Sequence, residues 1–539
     1  MKMKLKATAG LCALIVGTSS IGFSSIASAE TDNQDLKQQV DMLQKKVDML
    51  SAQQNAPAAP GGHEYLERKA GKGITFLTHG GEISIYGDLD VSADYVSNGL
   101  NSAPDNGIGN NGGAGTGPFG KTGYMPAISG NSTNIGMRGF QSIAGWDSTK
   151  LIWQVQANYA ATVNSGTKLT NSNQSNAVSG TLASGTSYIG FSSKDWGSVK
   201  GGKGFAPYAT STNALNPFGG KLGNMDVIMG NSGGDNRVEF GSPLEHNILY
   251  NSPNYNGFSY AALFAPGMNR AVDSSAIPSG SSDCAGGNIP GSGGSASLTS
   301  PYGCNDGAFS NVFSANVVYD NKQDWYLTAA FESHQNVNRS SDIAPGTTNG
   351  GYTDLQLASM DVGNETAAKV GAMYKFNSTG TSIGGIFESM KRNIPAVLDF
   401  QNERQRNGTW LVIEQTLPNN NQLNFGWAHA ATAVGDPGQH NDGNIAGAPG
   451  QKPNNSANMF TLLFKHQVDA DLSFYANIAE TVNSAAAHYD LGAGGHGTTT
   501  DCHDSGGPIP AGGYPGVGSP NCWAGTHLVG ISIGTDYKF

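Results

Sequence analysis

Four cysteines are the residues whose type and spacing point most directly to chemistry. Cys284 and Cys304 enclose 19 residues, and so do Cys502 and Cys522. Both segments start with Asp-Cys, contain Gly-x-Ile-Pro and have Ser-Pro shortly before the second cysteine. This repeated design, in a chain with the export signal described below, predicts two local disulfides. A zinc site that includes His503 is the alternative, although no Cys-x-x-Cys pair supports it.

The 11 histidines are the other candidates for catalysis or metal binding. The nearest approach to a cluster is spread over the last long polar segment and consists of His488, His496, His503 and His527. A hydrolytic site needs a nucleophile or an activated water, with histidine and carboxylate partners held close to it. Scattered loop histidines fit a solvated surface better, so we predict no enzymatic activity, no metal and no cofactor.

The composition describes the scaffold that has to position any such residues. Of 539 residues, 76 are glycine, 13% are charged and 38% are hydrophobic. A membrane helix needs about 20 consecutive apolar residues, and no such run follows residue 30. Little charge with much Gly, Asn and Ser is typical of many short strands joined by polar loops. The formal net charge of -11 argues against a nucleic-acid partner.

The first 81 residues divide into three segments. Residues 1–29 match a secretory signal peptide, because a basic start and an apolar stretch lead to small residues at a cleavage site. Residues 30–54 carry a heptad pattern of valine and leucine, which predicts a short helical coiled coil. A single amphipathic helix is the alternative for that segment. Residues 55–81 contain Pro57 and Pro60 near their start and are predicted to be a linker.

Residues 82–539 alternate between segments of period two and polar stretches, which predicts an all-β domain. In one segment, for example, Trp325, Leu327 and Phe331 share one face and Tyr326 lies on the other. Short connectors alternate with long ones, as in a barrel with turns at one end and loops at the other. The short connectors are residues 141–148, 194–197, 252–256, 320–323, 377–380, 417–421 and 469–471.

These connectors predict a transmembrane antiparallel β-barrel of about 16 strands, with 14 or 18 as alternatives. In the last segment Val529, Ile531, Ile533, Tyr537 and Phe539 fall on one face, and the chain ends on that aromatic. A closed barrel is the only sheet that can span a bilayer, because every backbone group in lipid must be paired internally. A barrel of this size leaves an aqueous lumen.

Five motifs resemble, in order, those of the general trimeric porins of Gram-negative bacteria. They are Ile83–Asp90, Asn134–Gly139, Tyr188–Phe191 with Gly197–Lys203, Asn247–Phe258 and Asp536–Phe539. The fourth is closely similar to the family's Asn-Ser-Ile-x-Tyr-x-Ser-Pro-x-Phe-x-Gly-Phe run and is the most specific. The resemblance implies a homotrimer in the outer membrane, in contact with lipid and lipopolysaccharide. It also implies passive diffusion of small hydrophilic solutes and ions through a water-filled channel.

The resemblance further implies a constriction loop at residues 205–235 that folds into the lumen. The charged residues expected at this constriction are Asp226, Asp235 and Glu239 on or beside the loop, and Lys203 and Arg138 on the basic wall facing it. The closing Tyr537 and Phe539 are expected to act as the signal read by the barrel-assembly machinery.

This chain departs from the family pattern at several wall positions. Asp88 stands where the family's first strand often has lysine, and the basic residues expected near Ile152 and Leu249 are absent. With the acidic composition and the aspartates of the constriction, these departures predict a weak preference for cations. The coiled coil is also outside the common pattern. It resembles periplasmic extensions of some sugar-specific porins and of barrels tethered to peptidoglycan, so a substrate-specific (sugar or anion) porin and an adhesive barrel stay as alternatives.

Overall fold

The alternating segments form one continuous antiparallel sheet in the computed structural model. The structure describes residues 67–68, 73–97, 124–131, 133–146, 148–158, 183, 185–230, 240, 243–266, 311–335, 364–393, 405–433, 454, 456–484, 487, 489, 491 and 527–539. By its internal contacts the chain divides into Met1–Glu64 and Tyr65–Phe539. The predicted signal peptide, the coiled coil and the four loop cysteines lie outside the described residues.

The strands match the period-two segments closely. They are β1 Glu67–Arg68, β2 Ile74–Thr78, β3 Gly81–Ser97, β4 Tyr124–Gly130, β5 Asn134–Ser142, β6 Thr149–Asn158, β7 Ser187–Ser193, β8 Gly197–Phe205, β9 Pro243–Asn251, β10 Phe258–Pro266, β11 Asn311–Asp320, β12 Trp325–Gln335, β13 Glu365–Phe376, β14 Thr381–Arg392, β15 Arg406–Leu417, β16 Asn421–Ala430, β17 Ala457–Gln467, β18 Leu472–Asn483 and β19 His527–Lys538. All seven predicted short connectors join consecutive strands of this series.

The sheet closes on itself because β19 pairs with β3, with Asp536 opposite Asp90 and Lys538 opposite Asp88. The strands β4 and β5 both pair with β3 along one edge, so together they form a single wall strand. Counted this way, the wall from β3 to β19 has 16 strands, and the predicted barrel is confirmed.

Two short strands lie ahead of the barrel wall in the chain. β2 pairs with the first residues of β3, with Ile74 opposite Ile85, and β1 pairs with β2. Both strands fall inside the stretch 55–81 that the sequence predicted as a linker. Part of this stretch therefore continues the sheet at the start of β3.

Alternation along each strand separates a lipid-facing surface from the lumen. On β19, Ile531 and Ile533 are 49% and 65% exposed, whereas Ser532 between them is 1% exposed. The aromatic residues Phe258 and Tyr260 of β10 are likewise exposed on the outer face. The apolar face therefore contacts lipid hydrocarbon, where an apolar surface has no cost of hydration.

The C-terminal residue completes the closure of the barrel. The backbone N–H of Phe539 donates to the carbonyl oxygen of Gly87 (3.1 Å), and the N–H of Gly87 donates back (3.0 Å). A Cβ at Gly87 would lie 2.5 Å from the Phe539 ring, so glycine at this position makes room for the ring. The Tyr537 and Phe539 rings stack with their centroids 5.9 Å apart.

In the described part of the chain, no helix is both long enough and apolar enough to cross a membrane.

Candidate functional site

The segment between β8 and β9 lies inside the barrel, and residues 206–230 are called the constriction segment below. It contains a short helix, α1, at Pro207–Thr210 and two 3-10 turns at Asn213–Leu215 and Met225–Val227. Proline at the start of α1 costs no hydrogen bond, because the first N–H groups of a helix have no partner within it. Asn224 caps the second 3-10 turn, since its side chain accepts from the N–H of Asp226 (3.3 Å).

Apolar contacts hold the constriction segment against the inner wall. Leu215, Phe218 and Ile228 are fully buried, and they belong to one cluster with Trp410 of β15. The Phe218 and Trp410 rings meet edge to face at 5.7 Å, and the indole N–H of Trp410 donates to the carbonyl oxygen of Leu215 (2.8 Å). Burial of this size makes the segment a fixed part of the lumen wall.

Polar contacts anchor the same segment to wall strands from β11 round to β3. The anchoring bonds are Tyr208 N to Ser314 (3.0 Å), Tyr208 Oη to Glu388 (2.6 Å), Tyr326 Oη to Ser211 O (2.6 Å), Lys369 Nζ to Thr212 (2.8 Å), Asn477 Nδ2 to Leu222 O (2.7 Å) and Lys221 Nζ to Asp90 (2.6 Å). Arg406 also donates to the carbonyl oxygen of Ile228. Each buried polar group in this set is thereby compensated for its lost water.

One glycine is required for the segment to pass close to the wall. Gly223 has a φ of +72°, and a Cβ there would lie 2.2 Å from Thr461 Oγ1 and 2.6 Å from the Ala479 Cβ. Its carbonyl oxygen accepts a hydrogen bond from Thr461 (2.8 Å). Any larger residue would have to push the segment into the lumen.

A buried ion cluster holds the middle of the segment. Lys221 lies 2.6 Å from Asp90 Oδ2 and 3.8 Å from Asp536 Oδ2, and all three side chains are at most 8% exposed. The Tyr475 hydroxyl donates to Asp90 Oδ1 (2.6 Å), and Asn131 donates to the same oxygen (3.2 Å). The lysine is therefore paired with two carboxylates from β3 and β19.

The wall strands β5 to β8, together with the start of β3, carry the lumen-facing residues that these anchors do not reach. The register places Arg138 opposite Gln154, and Gln154 opposite Tyr188. These residues alternate with the outward and exposed Met137 and Ile189, so they face the lumen. We call this surface the open wall.

Three basic side chains of the open wall each lie over an aromatic ring. The Arg138 guanidinium is 4.9 Å from the centroid of the Tyr86 ring. The Nζ atoms of Lys150 and Lys200 lie 4.0 Å from the Phe140 centroid and 4.7 Å from the Tyr188 centroid. Arg138 and Lys150 are exposed and Lys200 is half-buried. The ring faces attract these cations and keep them on the wall.

The structure separates the charged residues that the sequence proposed for the constriction. Arg138 faces the lumen on the open wall. Asp88 also faces the lumen, and its carboxylate lies 3.6 Å from Lys538. Lys203 pairs with Ser187, and by alternation it falls on the face of the outward Val199 and Phe205. Asp235 and Glu239 lie outside the described residues.

Asp226 is half-buried within the constriction segment. Its carboxylate accepts a hydrogen bond from Asn224 (3.1 Å). Burial raises the pKa of Asp226 above its ordinary value of 3.8, and the positive charge of Lys369 acts in the opposite direction. The carboxylate is therefore held by Asn224 of the same segment and has Lys369 as a neighbouring cation.

Sequence reasoning did not find four of the residues that shape the site, namely Lys150, Lys200, Lys221 and Lys369. For Lys150 and Lys200 a signal was present, because the outward apolar residues of β6 and β8 fix the alternation that turns both lysines inward. The other two pair with residues more than 130 positions away along the chain. No local pattern marks such partners.

A family model described as Gram-negative porin matches residues 18–486. The chain belongs to the Gram-negative porin family. The family membership that the sequence motifs implied is confirmed. The protein is an outer-membrane β-barrel that forms a channel for solute diffusion.

Solved structures show the same fold as this porin. An anion-selective porin from Comamonas acidovorans aligns with a TM-score of 0.52 and 15% identity, over 85% of this chain and 100% of the other. OmpF of Salmonella typhi, in complex with daunomycin, aligns at 0.45 and 12% over 85% and 98%. OprB of Pseudomonas putida aligns at 0.42 and 11% over 84% and 94%. Comparison with curated proteins gives no match.

In the described residues, no group of three or more His, Cys, Asp or Glu side chains could hold a metal ion. The charged residues of the lumen that the structure describes include a buried, paired group beneath the constriction segment and a group on the open wall. The open-wall group contains Arg138, Lys150 and Lys200 together with the carboxylate of Glu82, which the register places opposite Phe140.

Proposed function

We propose that this porin is a general diffusion channel for small hydrophilic solutes in which anions pass more readily than cations. The observation that carries the proposal is the basic set on the open wall, the exposed Arg138 and Lys150 with the half-buried Lys200. In the described part of the chain, none of these three cations forms an ion pair with a carboxylate.

The exposed residues of the constriction segment carry no negative charge that could offset these cations. Its exposed residues are Thr210, Asn213, Ala214 and Gly219. Charges lining a pore narrower than the Debye length, about 10 Å at 0.1 M salt, are not fully screened from a passing ion. Wall cations therefore raise the local concentration of anions.

This preference is opposite to the one expected from the acidic composition. That expectation rested on Asp88, Asp226 and Asp235. Asp88 is paired with Lys538, and Asp226 is half-buried with Lys369 as a neighbouring cation. Two of the three carboxylates therefore have a neighbouring cation that offsets their negative charge.

The test is the zero-current potential of single channels in a tenfold KCl gradient across a planar bilayer. We expect wild type to be anion-selective, and expect Arg138→Gln, Lys150→Gln and Lys200→Gln combined to move the potential toward the cation side. Lys322→Gln is the matched control, because Lys322 is 79% exposed in a turn beside Asp320. A cation-selective wild type would contradict the proposal, and an absence of conductance would favour an adhesive role.

The other predictions made from the sequence are proposed in the same way. We propose a homotrimer, as the family resemblance implies, and a protein without catalytic activity, since porins are typically channels. We also propose disulfides within the two cysteine pairs, and a coiled coil at residues 30–54 with periplasmic or peptidoglycan contacts. Mapping of non-reduced peptides tests the disulfides, and gentle electrophoresis with and without residues 31–54 tests the contribution of the coiled coil to the trimer.

A further inference from the structure

The open wall is not a uniform ladder of charge, because apolar residues occupy its centre. The register aligns Glu82, Phe140, Ile152, Gly190, Lys200 and Leu249 in one row across β3 and β5 to β9, with the carboxylate of Glu82 at one end of the row. Phe140, Ile152 and Leu249 are half-buried, so part of each side chain is accessible from the lumen. Gly190 adds no side chain between Ile152 and Lys200.

The three open-wall cations surround Ile152. Adjacent strands are about 4.8 Å apart and successive residues rise about 3.3 Å. Lys150 is two residues from Ile152 on the same strand, which is about 7 Å. Lys200 is two strands away in the same row, about 10 Å. Arg138 is one strand across and two residues along, about 8 Å. The surface formed by Phe140, Ile152 and these three cations is called the Ile152 patch.

The cations of the Ile152 patch stand around an apolar centre, with Cα positions roughly 12 to 16 Å apart by the same strand geometry. A compact multivalent anion such as phosphate gains nothing from that apolar centre. A flat organic monoanion can place its carboxylate on one cation and its apolar body against Ile152 and Phe140. Removal of that apolar surface from water favours binding.

We propose that the Ile152 patch is a binding site for small aromatic carboxylates on their way through the channel. The proposal rests on the anion preference proposed above and adds the class of anion. The side chains that determine it are Ile152 and Phe140 for the apolar body, and Lys150, Lys200 or Arg138 for the carboxylate. Arg138 and Lys150 are exposed and Lys200 is half-buried, so each side chain is at least partly accessible from the lumen.

The experiment compares benzoate with acetate, since the two anions share a carboxylate and differ in the ring. The permeability ratio of benzoate to acetate is taken from reversal potentials between potassium benzoate and potassium acetate across a planar bilayer. Benzoate diffuses more slowly in water, so a ratio above one in wild type requires an interaction with the pore. We expect such a ratio in wild type.

Ile152→Asn should lower this ratio about fourfold, the effect of losing contact with about one methylene of apolar surface. Ile152→Leu is the matched control and should keep the ratio. Phe140→Leu is a second, independent variant and should lower the ratio in the same direction. Migration of each variant as a folded barrel in gentle electrophoresis, with unfolding only on heating, shows that the substitution has not disrupted the fold.

The two proposals fail in different ways. An anion-selective wild type whose benzoate-to-acetate ratio equals the ratio of free mobilities would overturn the Ile152 patch and leave the proposed function intact. An unchanged ratio in both Ile152→Asn and Phe140→Leu would also overturn it. A wild type that selects cations would overturn the anion preference and, with it, this inference.

Discussion

Replacing Lys221 with methionine removes the only described cation within 4 Å of Asp90. Methionine is similar in length to lysine and fits a buried site, so the change removes charge with little loss of volume. The carboxylates of Asp90 and Asp536 then face each other across the strands β3 and β19, where they are register partners. Both are at most 8% exposed, so water offers them little compensation.

The magnitude follows from the burial of the pair. Removing one partner of a buried ion pair costs about 3 to 5 kcal/mol, because the other charge stays buried without compensation. The hydrogen bonds from Tyr475 and Asn131 to Asp90 remain and keep the cost toward the lower end. If the contacts that hold the constriction segment to the wall lose about 3 kcal/mol, the fraction of molecules with a detached segment rises by about 100-fold.

The assay is single-channel recording together with thermal unfolding of the barrel in detergent. We expect Lys221→Met to show current fluctuations between sublevels and a lower unfolding midpoint, and Lys221→Arg to stay close to wild type. Lys538→Gln is the control, since Lys538 is 59% exposed and lies 3.5 Å from the same Asp536. An exposed pair contributes about 0 to 1 kcal/mol. Equal stability and equally quiet currents in Lys221→Met and Lys538→Gln would refute the reasoning.

Three further predictions concern the same segment. Trp410→Phe removes the hydrogen bond to Leu215 O and part of the ring packing, and should lower the free energy of unfolding by about 2 to 4 kcal/mol in thermal denaturation. Gly223→Ala forces a Cβ against Thr461 at positive φ and should cost about 1 to 3 kcal/mol in the same assay, whereas a neutral result would mean that the segment can move. Since burial raises the pKa of Asp226, the folded state holds its proton more tightly. The stability of wild type should therefore fall relative to Asp226→Asn as the pH rises from below 3.8 through that raised pKa, and a constant difference between the two would contradict this.

The barrel wall could be predicted from sequence because its signals are local. Alternation in Trp325–Gln335 fixes which residues face lipid, and short connectors fix which strands are neighbours. Both follow from the two-residue repeat of a strand, which needs no knowledge of distant residues. Lys203 was placed on the basic wall by the family resemblance, whereas alternation along β8 puts it on the face of the outward Val199 and Phe205. Position in a family motif is therefore a weaker guide to the face of a side chain than the two-residue repeat of the strand.

The lumen could be predicted only in part, because its contacts join residues far apart in sequence. The family resemblance located a constriction loop, but it gave no partner for Lys221 or Lys369. Lys221 and Asp90 are 131 positions apart, and the chain between them includes five strands whose arrangement in the barrel brings the two together. Asp226 was predicted to line the pore from its position in the loop, whereas its orientation depends on Asn224 and Lys369.

The division between covered and open charges has one physical cause. The constriction segment excludes water from the wall strands that it covers. A charged side chain that has lost its water is stable there only if an opposite charge or a hydrogen-bond partner compensates it. Lys221 is therefore paired with Asp90, and Arg406 lies 3.8 Å from Glu388. On the open wall water remains, so Lys150 needs no carboxylate and its charge stays available to solutes. The charged residues that anchor the constriction segment are therefore different from those that face the passing ion. Substitutions can be made in one group without removing the charges of the other.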